Sequence, residues 1–139
     1  MTQTNNSPSE LNILIIDDYF GDGEVTRIEI IKYLSRRNGK TPKLNFYYKN
    51  FPEEGLKLLE KERIDLVVLD PNSNPLNKKD RSGIEDFLSP MRKTSQVPVI
   101  CLTHLYCMSR EEALEAGATT FVDKETYGDL PQGLDYILK

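Results

Sequence analysis

The sequence is poor in residues that bind transition metals: it has one histidine and two cysteines. That is too few to argue for a zinc centre. The cysteines, Cys101 and Cys107, fall in or beside an apolar run, and Met1 to Glu10 lacks the apolar centre of a secretory signal. A structural disulfide is therefore not expected, and both read as small buried hydrophobes. No apolar run approaches the roughly 20 residues that cross a bilayer. Basic residues are in deficit, 18 Lys and Arg against 22 Asp and Glu for a net charge of −4, which argues against a nucleic-acid-binding surface. There is no internal repeat and no linker. What remains is a soluble-globular composition, 38% hydrophobic and 29% charged, in 139 residues. That length suits one domain with one core. We expect a flexible lead-in over 1–10, a folded domain over 11–139 and a cytoplasmic location.

Short apolar runs punctuate the chain, and most end on polar side chains. Asp65-Leu66-Val67-Val68-Leu69-Asp70 is continuous and β-branched, the pattern of a strand buried on both faces. Pro71 then stops it. Leu11 to Ile16 closes on Asp17-Asp18, Val97 to Thr103 on a hydroxyl, and Thr119 to Lys124 on an ammonium. Lys43 to Lys49 alternates, with Leu44, Phe46 and Tyr48 on one face. Between these runs the spacing is helical. Val25, Ile28, Ile31 and Leu34 form the expected inner face of a first helix that stops at Asn38-Gly39. Tyr19 to Gly23 reads as a loop, since two glycines in three residues do not suit a helix. A second helix opens over Phe51-Pro52-Glu53-Glu54 and ends near Arg63; a third carries Ile84, Phe87, Leu88 and Met91; a fourth holds Ser109 to Ala116 and stops at Gly117; a fifth covers roughly Leu130 to Leu138. Five strands alternating with five helices mean right-handed crossovers. The expected fold class is α/β, a five-stranded parallel sheet of order 2-1-3-4-5 with helices on both faces.

In such sheets ligands bind at the carboxyl ends of the strands, at the topological switch point. Strands 1 and 3 are neighbours in that order, so Asp17, Asp18 and Asp70 meet. Carboxylates this close disfavour one another's ionisation, and a hard cation such as Mg²⁺ would relieve them. Thr103 and Lys124 end the next two strands. A carboxylate nucleophile, a metal position, a hydroxyl and a cation are the parts of a phosphoryl-transfer site. Asp22 reads as a turn or cap residue, with a further metal ligand as the alternative.

From Leu11 onward this pattern resembles the receiver domain of two-component response regulators, a flavodoxin-like fold. It does so through Asp17-Asp18, Asp70, Thr103 and Lys124, each closing an expected strand. The resemblance implies that Asp70 is the phosphoacceptor. It also implies that Asp17, Asp18, Asp70 and the backbone carbonyl of Asn72 hold Mg²⁺, and that Thr103 and Lys124 bind the phosphoryl group. Thr103 and Phe121 would form the switch. The implied partners are a histidine kinase or phosphotransfer protein and a downstream protein that reads helix 4, strand 5 and helix 5. Dimerisation through that face is a habit of the family. Catalysis would be limited to the domain's own phosphotransfer and dephosphorylation.

Four features depart from the family pattern. The loop from Asp70 to Gly83 is long, and Pro71 offers no backbone N–H. Gly21-Asp22-Gly23 falls where the first helix should start. His104 replaces a small residue after Thr103, as a gate over Asp70 or as an ordinary strand-end residue. Glu125 replaces a proline that is often cis. Because these changes surround the site, a receiver-like docking module that works without phosphate is the alternative. Two enzyme or cofactor readings fit less well. An aspartate-nucleophile phosphatase wants an Asp where this chain has Asn72, and Asp17-Asp18 would repel a flavin phosphate. The chain reads as a stand-alone regulator or as a domain excised from a larger protein.

Overall fold

The computed structural model describes residues 10–37, 42–72 and 76–138. The elements in order are β1 (Glu10–Ile16), α1 (Phe20–Arg36), β2 (Lys43–Lys49), α2 (Pro52–Lys61) and β3 (Leu66–Leu69). Next comes α3, a π-helical stretch (Ile84–Leu88) that runs on as α-helix (Ser89–Arg92). Then follow β4 (Val99–Thr103), α4 (Arg110–Glu115), β5 (Thr120–Asp123) and α5 (Leu130–Leu138). The sheet order is β2-β1-β3-β4-β5 and every pairing is parallel, as the alternation of strands and helices predicts.

Alternation along the strands sorts the core into two layers. Ile13, Ile15, Leu66, Val68, Ile100 and Val122 face α1 and α5, where they meet Ile30, Leu34, Leu130 and Leu134. Leu14, Ile16, Val67, Leu69, Cys101 and Phe121 face the other way, toward Phe87, Leu88 and Met91 of α3 and Ala113 of α4. All four residues of β3 and all five of β4 are buried, so the central strands are apolar on both faces. Each fully buried Leu or Ile contributes about 1.5–3 kcal/mol. Cys101 and Cys107 are both free and buried. Among the described residues no helix is long and apolar enough to cross a membrane.

Helix α1 corrects the sequence reading twice. It starts at Phe20, so Gly21 and Gly23 lie inside its first turns rather than in a loop. The reason is local: a Cβ on Gly23 would stand 2.6 Å from a ring carbon of Tyr48 on β2, so only glycine lets the helix close on the sheet there. Its buried face is Gly23, Thr26, Ile30 and Leu34, while Val25, Ile28 and Ile31 are exposed. Of the expected inner set only Leu34 points inward. The expected stop at Asn38-Gly39 and most of the expected lead-in lie outside the described residues; Glu10 already belongs to β1.

Candidate functional site

The ladder of the sheet continues one residue past the strands, and that fixes the site. The Asp17 N–H donates to Lys49 O (3.1 Å), the Asp70 N–H to Ile16 O (2.9 Å) and the Lys124 N–H to Thr103 O (2.9 Å). Their side chains converge. The Lys124 ammonium donates to Asp70 Oδ2 at 2.6 Å, Asp17 Oδ2 at 2.9 Å and Asp22 Oδ2 at 3.2 Å. Lys124, Asp17 and Asp70 are buried, at 8%, 3% and 8% exposure. Asp18 lies beside them, and Asp17, Asp18 and Asp70 each bring a carboxylate oxygen within 4.8 Å of the others.

The remaining acceptor capacity of these acids is used locally. Asp17 Oδ1 accepts the Tyr19 N–H (3.0 Å), and Asp70 Oδ1 accepts the Asn72 N–H (3.0 Å) across Pro71. The Tyr48 hydroxyl donates to the Asp17 carbonyl at 2.6 Å. Burial pushes the Asp17 carboxyl up to about 7, with the Asp70 charge adding and Lys124 opposing. Burial and Asp70 raise Asp18 as well. Burial alone would lower Lys124; Asp70 and Asp17 more than reverse this and hold it firmly charged.

Asp18, Asp70 and Lys124 line an open crevice of about 310 Å³ together with Asp22, Asn72, Thr103, His104, Tyr106 and Cys107. A larger crevice of about 450 Å³, lined by Leu59, Ile64 and Met91 among others, lies at the amino ends of β3 and β4, away from these acids. His104 stands at the mouth of the first crevice. Its Nδ1 lies 3.0 Å from Glu125 Oε1, and its ring stacks on Tyr106 with centroids 5.0 Å apart. The Lys78 ammonium sits 5.4 Å over the Tyr106 ring. Phe121 is buried at 1% and does not line the crevice; the Arg110 guanidinium lies 5.7 Å from its ring.

The segments that depart from the family pattern are well tied. Beyond residues 73–75, the loop after Asp70 is held by Arg81, whose guanidinium forks onto Glu112 of α4 (2.6 and 3.0 Å) and donates to the Cys107 carbonyl (2.7 Å). Gly83 meets Pro71 so closely that a Cβ would come within 2.5 Å of the Pro71 Cα. Among the described residues there is no cis peptide bond, so the Lys124-Glu125 turn is built another way. The Glu125 N–H donates to Asp123 Oδ1, and Tyr127 adopts a left-handed φ of 56°. The Tyr127 hydroxyl then lies 3.1 Å from Thr26 Oγ1 on α1.

The expected residues Asp17, Asp18, Asp70, Asn72, Thr103, His104 and Lys124 are thus brought together. Asp22 was expected in a turn or cap, and instead its side chain reaches Lys124 from the first turn of α1. The flanking Gly21 and Gly23 hide the helix start that carries it.

The donor set fits Mg²⁺: three carboxylates clustered around one pole, in a crevice with room for water, are hard oxygen ligands. No protein-family model and no curated protein matches the sequence. Solved structures do. A response-regulator receiver domain from Francisella superimposes with a TM-score of 0.64 at 22% identity, covering 92% of this chain and 96% of that one. The receiver domain of an HD domain-containing protein from Pseudomonas fluorescens gives 0.66 at 19% identity, over 99% and 93%. A Saccharomyces cerevisiae co-crystal structure of the histidine phosphotransfer protein Ypd1 and the receiver domain of Ssk1 gives 0.59 at 17% identity, over 84% and 79%. With its strand order and its near-complete coverage of these domains, the chain has the receiver fold of response regulators.

Proposed function

We propose that this chain is a phosphoacceptor receiver domain that takes a phosphoryl group on Asp70. The observation that carries this reading is the Lys124 ammonium bridging Asp70 and Asp17 at adjacent strand ends, in a crevice that also holds Asp18 and Thr103. The donor would be the phosphohistidine of a histidine kinase or phosphotransfer protein. An Asp70 carboxylate oxygen attacks phosphorus, the P–N bond breaks, the imidazole leaves as the neutral ring that keeps the proton on its other nitrogen, and an acyl phosphate results. Asp17, Asp18, Asp70 and the Asn72 carbonyl would hold Mg²⁺, which supplies charge neutralisation for the phosphoryl oxygens. Lys124 pairs with one of those oxygens and the Thr103 hydroxyl donates to another. Inward movement of Thr103 would draw Phe121 and change what the α4–β5–α5 face binds. The exposed Val25, Ile28 and Ile31 face of α1, on the helix that starts beside Asp18, offers an apolar seat for the phosphodonor protein.

A second reading is a docking module that works without phosphate. It is favoured by the saturated Lys124 ammonium and by the His104–Glu125 pair over the crevice. One experiment separates the two: incubation with acetyl phosphate and Mg²⁺, followed by intact-protein mass. The first reading expects one hydroxylamine-sensitive phosphoryl group on the wild type and none on Asp70→Asn. Labelling that persists in Asp70→Asn removes Asp70 from the role, and no labelling of the wild type by either acetyl phosphate or a phosphorylated phosphotransfer protein favours the second reading.

A further inference from the structure

The feature to which the phosphoacceptor reading gives no role is the third carboxylate on Lys124. An ammonium has three N–H donors, and here each goes to a different acid: Asp17, Asp22 and Asp70. A phosphoryl oxygen can be gripped only if one of them yields. Asp17 and Asp70 are buried, and the other oxygen of each already accepts a backbone N–H. The Asp22 side chain is 39% exposed and makes the longest of the three contacts. Lys124 is its one side-chain hydrogen-bond partner among the described residues. While the phosphoryl group approaches and Asp70 is still a carboxylate, the Asp22 carboxylate turns to water at little cost, whereas releasing Asp17 or Asp70 strands a buried charge.

We propose that Asp22 is a charge-setting competitor in this crevice: it holds the Lys124 proton that a phosphoryl group needs, and its charge favours a dication while opposing an incoming anion. The inference rests on the phosphoacceptor reading and adds an order of events to it. Asp17, Asp18, Asp22 and Asp70 against Lys124 leave the crevice three negative charges in excess when all are ionised. The dication is then a precondition for the phosphoryl group rather than a companion to it. Asp22 is a positioning residue here, not a catalytic one. An acid in a first helical turn also suits the helix dipole, but that role by itself leaves ligand affinities unmoved.

The test is a pair of equilibrium titrations on the wild type and on Asp22→Asn, which keeps the shape and removes the charge. Mg²⁺ is titrated first, then beryllofluoride at saturating Mg²⁺, both followed by amide NMR shifts. Spectra away from the crevice report whether the fold is unchanged. Coulomb's law at a separation of about 6 Å, even with the dielectric of water, makes the lost charge worth about tenfold on a dication and about threefold on a monoanion. The expected result is therefore two opposite shifts, Mg²⁺ weaker by about tenfold and beryllofluoride tighter by threefold or more. A structural defect would weaken both. If the wild type binds Mg²⁺ alone and Asp22→Asn takes beryllofluoride as well, the competitor role holds in its strongest form. If both proteins bind beryllofluoride and either shift is absent or reversed, this inference falls and the phosphoacceptor reading stands. If neither binds beryllofluoride, the phosphoacceptor reading falls and takes the inference with it.

Discussion

Replacing Lys124 by Met keeps the buried stem and removes the ammonium. The change takes three charge-assisted hydrogen bonds with it and leaves Asp17 and Asp70, both under a tenth exposed, without their counter-charge. Removing one partner of a buried ion pair costs about 3–5 kcal/mol. A chain of this length has a stability of about 7–15 kcal/mol, so Lys124→Met is expected to fold. The loss should depend on pH. Without the ammonium that opposes it, the Asp17 carboxyl escapes repulsion by holding its proton, so its folded pKa lies further above the unfolded one. Stability from a raised carboxyl is present at low pH and is lost as pH rises through the folded pKa. Urea unfolding followed by circular dichroism, without metal, should therefore show the full loss at about pH 8 and less than half of it at about pH 5.5. Mg²⁺ should recover much of the loss at the higher pH, because a dication replaces the missing cation. A loss below about 1 kcal/mol at both pH values, or an equal loss at both, would refute the account of Lys124 as the charge that holds this crevice together.

The wild type should show the same linkage more gently. Asp17 sits at about 7 in the folded state against an ordinary 3.8, so Mg²⁺ competes with its proton, and calorimetry should find weaker Mg²⁺ binding and more proton release as pH falls below about 7. In the absence of metal this residue makes the domain less stable as pH climbs from about 4 through 7, the reverse of an ordinary paired carboxylate. If His104 gates the crevice through Glu125, His104→Ala should speed both phosphorylation by acetyl phosphate and loss of the phosphoryl group severalfold, as followed by phosphoprotein gel. Unchanged rates would make the pair a surface contact only.

The sheet and most of its polar endings were legible because each buried run passes straight into the side chain that matters. Leu69 to Asp70 and Ile16 to Asp17 place the acids directly at the strand ends; each alone also reads as a turn aspartate, and it is the strand order that brings them together. Helix α1 was not legible, for a reason of size. In its first two turns small residues carry the close approach, Gly23 under Tyr48 and Thr26 beside the Tyr127 hydroxyl, while Val25, Ile28 and Ile31 stay outside. A pattern built on hydrophobicity therefore selected the wrong face. The same error hid Asp22, since a helix begun at Val25 cannot point a carboxylate at Lys124. The His104–Glu125 contact joins residues 21 apart, but the register that sets Thr103 beside Asp123 already brings the ends of β4 and β5 together.

The backbone of the site has a consequence of its own. Asp17, Asp70 and Lys124 are each pinned by a main-chain bond that belongs to the sheet, not to the chemistry. Place is thereby independent of identity: whatever side chain stands at those positions is delivered to the same spot. Such a frame lets the wording of a sequence drift far while its grammar holds, which is why this chain overlays receiver domains at about a fifth identity along almost its whole length. It also makes the crevice a ready bench for redesign, because residues can be exchanged at the strand ends without asking the fold to relearn where they belong.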